Sequence, residues 1–193
     1  MKTFDLKGNK RTELGKKSTR ELRKQELVPC VLYGGAENIH FSVVSKDFKD
    51  LVYTPNVYLV NLEVDGKKFR AAMQNIQFNS VTDEIEHVDF LEISDTKLMN
   101  IQIPVKLTGV SEGVKQGGKL MLKMRKLRVK GFPKDFPDTL DVDITALMLG
   151  KSIKVGELSF KNLELLDPKN AVVTTVRLTR SAMSAKQQAE GTK

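Results

Sequence analysis

The sequence predicts a mainly β protein with short helices, divided into two β-rich domains. Short runs of β-branched and aromatic residues, bounded by Gly, Pro, Asn and Asp, outnumber the segments with helical periodicity. After Ser94-Asp95-Thr96 the pattern restarts with a cleanly alternating strand. A chain of 193 residues, 40% hydrophobic and 29% charged, is long enough for two small cores and too apolar for wholesale disorder. These features predict domains over residues 1–95 and 96–180, followed by a disordered tail over 181–193, where Met183 is the only large apolar residue.

The first predicted element is a helix over 19–25. Ser18-Thr19-Arg20-Glu21 has the capping-box spacing, with Gly15-Lys16-Lys17 as a basic loop ahead of it and Pro29 beyond its end. A second short helix is predicted after Ser45, with Phe48, Leu51 and Val52 at helical spacing and Thr54-Pro55 as its stop. Strands are predicted over 28–33, 39–44, 57–64, 68–78 and 85–93, with Asp65-Gly66 as the hairpin turn between the third and fourth. So many strands with two helices on their rim fit a small barrel or a curled antiparallel sheet.

In the second half, Ile101, Ile103, Val105 and Leu107 alternate, predicting a strand over 100–108. Gln116-Gly117-Gly118 marks a turn before a strand over 119–130. Its apolar parity changes between Met124 and Leu127, which predicts a bulge near Arg125-Lys126. Further strands are predicted over 139–142, 152–155 and 172–179, with a short helix over 144–149 closed by Gly150.

The formal net charge of +8 points to a polyanionic partner. Its distribution says more than the total. Residues 1–95 carry 14 basic and 15 acidic groups, while 96–193 carry 18 and 9. Nine of the 14 lie within residues 2–24, so an anion-binding site in the first half must be one concentrated patch. A second cluster, Lys115 to Lys134, holds eight basic residues and no acidic one. It could touch RNA or be a solvated hairpin.

Enzyme chemistry finds little support. Two histidines and one cysteine cannot supply a zinc site, and no glycine loop precedes a Lys-Ser or Lys-Thr pair. Neither a metal nor another cofactor is expected. Cys30, in the run Val28-Pro29-Cys30-Val31-Leu32, reads as a small buried side chain of a reducing cytoplasm. The absence of a signal-like start or a long apolar run predicts a cytoplasmic protein without membrane contact.

Two constellations can carry recognition. On a helix, Thr19, Arg20 and Arg23 fall at roughly 0°, 100° and 40°, one arc holding a hydroxyl and two guanidiniums, with Lys16 and Lys17 beside it. In Glu86-His87-Val88-Asp89-Phe90, strand alternation puts His87 and Asp89 on one face and Val88 and Phe90 on the other. That pair suits an acid–base role, a structural pair, or hydrogen bonding to base edges and 2′-hydroxyls.

These residues carry a resemblance. Arg11, then Gly15-Lys16-Lys17-Ser18-Thr19-Arg20-Glu21-Leu22-Arg23, then Val28-Pro29-Cys30-Val31-Leu32-Tyr33-Gly34-Gly35, resembles the start of the bacterial large-subunit ribosomal protein twenty-five family, also called the general stress protein Ctc family. Gln74-Asn75-Ile76-Gln77 and His87-Val88-Asp89-Phe90 look like its second signature. The second half, with Phe132-Pro133-Lys134-Asp135-Phe136-Pro137, is similar to the extra domain of its long members. The resemblance implies a six-stranded barrel-like first domain that binds the loop E region of 5S ribosomal RNA. It also implies a second β-rich domain, and a place at the central protuberance of the large subunit. The partners would be 5S RNA, other large-subunit proteins and, through the second domain, 23S RNA. By position, the implied RNA contacts are Arg11, Lys16, Thr19, Arg20, Arg23, Tyr33, Gln74, Gln77, His87 and Asp89. Phe78-Asn79-Ser80 departs from the family's Arg-His-Pro and is left out. Gln74 and Gln77, three apart, share a face only if a bulge intervenes. The alternatives are a protein-interaction or stress-associated chaperone-like module without specific RNA binding, and an enzyme using His87 and Asp89.

Overall fold

A computed structural model describes residues 2–179, so the tail expected over 181–193 lies outside the described residues. The chain forms two compact units, one reaching to Ile101 and including Phe132–Asp138, the other Gln102–Gly131 with the chain from Thr139.

The first unit runs β1 (Lys2–Lys10), α1 (Lys16–Lys24), β2 (Leu27–Tyr33), β3 (Ile39–Val44), a 3-10 turn over Ser45–Phe48 leading into α2 (Lys49–Val52), β4 (Tyr58–Val64), β5 (Lys67–Phe78) and β6 (Ile85–Glu92). The six strands close into a barrel in the order β1-β3-β2-β6-β5-β4. The predicted strands match β2 to β6 within a residue or two. The strand that closes the barrel, β1, was not predicted. Its inward positions are only Phe4, Leu6 and Gly8 among lysines and polar residues, too thin an apolar signal to read. It is held by its neighbours, parallel to β4 from Lys2–Tyr58 to Gly8–Val64 and antiparallel to β3 at Asn9–Ser42 and Lys10–Phe41. Gly8 is required there, because a Cβ would stand 2.6 Å from Phe41 Cδ2.

Alternation fills the interior. Val28, Cys30 and Leu32 of β2, Val60 and Leu62 of β4 and Val88 and Phe90 of β6 are all essentially inaccessible. Phe90 packs against Phe41 and Phe48, with ring centroids 5.8 and 6.4 Å away, so the 3-10 turn plugs one end of the core. Burial pushes the Cys30 thiol far above its ordinary range, which keeps it an inert core group, as its sequence context predicts.

The second unit continues along β7 (Met99–Thr108), α3 (Glu112–Lys115), β8 (Lys119–Leu122), β9 (Lys126–Gly131), β10 (Leu140–Asp143), β11 (Ser152–Lys154), β12 (Glu164–Leu165) and β13 (Val172–Arg177). These form a four-stranded sheet, β10-β7-β9-β12, and a three-stranded sheet, β11-β13-β8. Two expectations are corrected here. The parity change near Arg125-Lys126 is no bulge: the chain leaves one sheet at Leu122 and enters the other at Lys126, so the residues on either side face different layers. The segment 144–149 forms turns, not a helix. Its carbonyls are taken by another segment, since Glu112 N donates to Thr145 O while Gly113 N and the Ser111 hydroxyl donate to Leu147 O. The Asp143 carboxylate also accepts from the backbone and hydroxyl of Thr145, bonds that hold its carboxyl below the usual range. No helix among the described residues is long and apolar enough to cross a membrane.

Candidate nucleic-acid interface

The helix α1 begins at Lys16, earlier than the capping-box reading placed it. Gly15 is the N-cap, with φ 125°, and no side chain caps the helix. Ser18 lies inside the first turn and donates to Glu13 O, while the Thr19 hydroxyl donates to Gly15 O at 2.7 Å. Glycine permits the turn into the helix that an L side chain would strain, and this displaces the box by a turn.

A nine-residue helix with no buried residue has little stability of its own, so its docking contacts decide whether it forms. Arg23 ties it to β6. Its Nε and Nη2 both donate to the carbonyl oxygen of Glu86, at 3.2 and 3.0 Å. The acceptor is neutral, and among the described residues Arg23 forms no ion pair. Arg11 ties the other end, donating from Nη2 to Glu13 O and to the Thr19 hydroxyl while its backbone N–H donates to His40 O. Its Nε is sealed from solvent and has no hydrogen-bond partner among the described residues. Arg20, Arg23 and Lys24 line an open cleft of about 610 Å³ with Lys46 and Lys49 and with Glu84, Ile85 and Glu86 at the start of β6. Lys16 and Lys17 are exposed at the helix entrance.

Beside this cleft lies the outer face of β6. His87 and Asp89 alternate with buried Val88 and Phe90, as predicted. His87 Nδ1 stands 2.9 Å from Asp89 Oδ1 and is closed to solvent, yet the approach is off-axis and makes no proper hydrogen bond. The approach sets the imidazole ring beside the carboxylate on the outer face of β6. Strand register extends the row. Gln77 pairs with His87 and Asn75 with Asp89 across β5, and Val31 pairs with Asp89 on β2 and with His40 on β3. Tyr33, two residues beyond Val31, shares that face. Burial, then the Asp89 carboxylate, raises its pKa above the ordinary phenol value, so it stays a neutral donor and acceptor.

A bulge lies between Met73 and Asn75, as the spacing of the two glutamines required for a shared face. Gln74 is the extra residue, and its amide donates to Asn100 O at 2.8 Å, while Gln77 lies across from His87. Asn75 takes the place beside Asp89, a residue the sequence reading passed over. The signal was present, because Ile76 packs inward and forces Asn75 and Gln77 outward together. Asn79, in the stretch set aside, organises the β5–β6 turn: its Oδ1 accepts from the N–H groups of Val81 and Thr82, and its Nδ2 donates to Glu86.

A closed barrel that shows one polar strand band beside a cationic helix is the build of a binding module. Among the described residues no cluster of His, Cys, Asp or Glu could hold a metal ion. Residues 6–90 match the model of the ribosomal L25p family, and 98–180 that of the C-terminal domain of ribosomal protein TL5. The chain belongs to the ribosomal L25p family and carries the TL5-type second domain. It is 54% identical over 189 residues to the large ribosomal subunit protein bL25 of Azobacteroides pseudotrichonymphae, covering 97% of this chain and all of that one. The bL25 proteins of Phocaeicola vulgatus and Porphyromonas gingivalis are 50% and 49% identical, each match covering 96% of this chain and 97% of the relative. Membership makes this a structural protein of the cytoplasmic ribosome and not an enzyme.

Proposed function

We propose that the chain, as a large-subunit protein, binds the loop E region of 5S ribosomal RNA through residues 1–95 and thereby occupies the central protuberance. The observation that carries this reading is the alignment of Tyr33, Asn75, Gln77, His87 and Asp89 on one outer face, with Arg23 anchored to Glu86 at its border. Lys16, Arg20 and Arg23 engage phosphates and set the register on the duplex. His87, Asp89, Gln77 and Tyr33 address base edges and 2′-hydroxyls. Arg11 and Thr19 hold the entrance of the helix against the barrel, and Gln74 fixes the bulge that aims its neighbours. The second domain, 96–180, adds contacts to neighbouring large-subunit proteins and 23S RNA.

An irregular, non-canonical helix suits this surface. A regular A-form duplex hides its base edges in a narrow major groove, whereas non-canonical pairs present them to a shallow polar band. A gel-shift series with a loop E fragment against an unrelated hairpin tests the proposal. Preferential retention of the fragment at physiological salt is expected, and equal retention of both would refute it.

A further inference from the structure

The basic cluster of the second unit is not uniformly available. On the four-stranded sheet three of the cations stand beside carboxylates, and Lys126 at the start of β9 does not. Arg128 donates from Nε and from its backbone N–H to Asp167, both at 2.8 Å, Lys130 lies 3.8 Å from Glu164, and Lys106 pairs in register with Asp141. The three-stranded sheet is different. Its strands β8, β11 and β13 carry Lys119, Lys154 and Arg177, flanked by Lys123 and Lys151, and contain no Asp or Glu.

Register makes the contrast sharper. Lys119 and Arg177 are directly opposite on neighbouring antiparallel strands, both are exposed, and neither forms an ion pair among the described residues. Their inward neighbours Leu120 and Val176 pair in the core, so both cations point to the outer face. Side chains at such a position stand about 5 Å apart at Cβ, and like charges there destabilise the sheet. The same face carries Thr175, in register with Ser152, two residues from Arg177. These strands contain no aromatic residue, so the face offers charge and hydroxyl groups but no platform for stacking bases.

We infer that the outer face of the three-stranded sheet, centred on Lys119 and Arg177, is a second RNA contact that binds backbone phosphates without reading sequence. The inference rests on the ribosomal role for the identity of its polyanion. A phosphate between the two cations relieves their repulsion and adds charge-assisted hydrogen bonds to the guanidinium. Lys119 and Arg177 therefore centre this contact, while Arg128 and Lys130 of the basic run already face carboxylates.

The test uses the full chain carrying Arg20→Gln, so that the first unit's contribution is already weakened, and a short unrelated RNA duplex titrated across salt concentrations. Adding Lys119→Gln and Arg177→Gln should cut affinity several-fold and flatten the slope of log K against log salt by about 1.4 to 1.8. Lys130→Gln, which removes a cation already facing Glu164, should leave the slope unchanged. A second readout does not depend on RNA: Lys119→Glu should raise the melting temperature, by converting repulsion into attraction, while weakening duplex binding. The inference is overturned by an unchanged slope in the double variant, by an equal loss with Lys130→Gln, or by a lower melting temperature in Lys119→Glu. Polyglutamate competing as well as the duplex would assign the face to an acidic protein segment instead. Binding of the loop E fragment by the otherwise native chain is measured alongside. Its loss would defeat the 5S reading alone, and an unchanged duplex slope would defeat this one alone.

Discussion

Arg23 donates through two nitrogens to the carbonyl oxygen of Glu86, at 3.2 and 3.0 Å, one residue before His87 begins the polar row. This side chain thus ties the cationic helix to a strand 63 residues away in sequence. Because it is bonded to a carbonyl, Arg23 retains its full charge for a polyanion. Positioning and attraction reside in the same group.

Replacing Arg23 with lysine separates those two contributions. Lysine keeps the charge but cannot donate in parallel from a planar fork. We expect Arg23→Lys to lose about 1 kcal/mol of stability in denaturant unfolding, the net worth of a typical hydrogen bond. Affinity for a loop E fragment should fall roughly tenfold, equivalent to about 1.4 kcal/mol. A variant as tight and as stable as the parent would show that charge alone suffices at this position.

Arg20 and Asp89 should fail in different ways. Arg20→Gln removes one phosphate contact, so the salt slope should drop by roughly 0.7 to 0.9 with little change in RNA preference. Asp89→Ala should narrow the ratio between loop E and an unrelated hairpin at constant salt, because it removes an acceptor for base amino groups. Unchanged discrimination together with unchanged affinity would exclude a role for the carboxylate.

Tyr33 provides a pH readout of the same neighbourhood. Burial and then the Asp89 carboxylate disfavour its phenolate, so its folded-state pKa lies above the ordinary value of 10.0. Stability from this group is fully present below the unfolded value and is lost as pH rises through the folded one. Ultraviolet titration of the folded protein should show a tyrosine ionising later than a free phenol. Asp89→Asn should bring that midpoint part of the way back, since burial persists. No movement in the Asn variant would place Tyr33 away from Asp89.

Gly8 tests the closure of the barrel. A Cβ there meets Phe41 Cδ2 at 2.6 Å and Val43 Cγ2 at 3.2 Å, both on the strand that β1 must join. Gly8→Val should cost about 1–3 kcal/mol by overpacking, read as a lower denaturation midpoint. A midpoint equal to the parent's would mean that β1 can shift without loss.

Strands with dense apolar alternation, β2 to β7, were legible because period-two burial is a local property of the chain. The outward placement of His87 and Asp89 and the burial of Cys30 followed from the same rule. The cationic arc of α1 was legible too, although its start was misplaced: the left-handed conformation of Gly15 outweighs the Ser18 spacing. Other features depend on partners distant in sequence. The pairing of β1 with β3 and β4, the loss of the 144–149 helix to hydrogen bonds from 111–113, and the division of Lys119–Lys130 between two sheets have no local signature.

By itself, then, the order of residues determined which side chains face inward, which face outward, and where positive charge accumulates, since these depend on neighbours within a few positions. Tertiary structure alone decided which outward groups stand side by side: Asn75 next to Asp89, Arg23 on Glu86, Lys119 opposite Arg177. The physical reason is strand register, which places residues that are far apart in the chain within a few ångströms and is set by closure of the sheet as a whole.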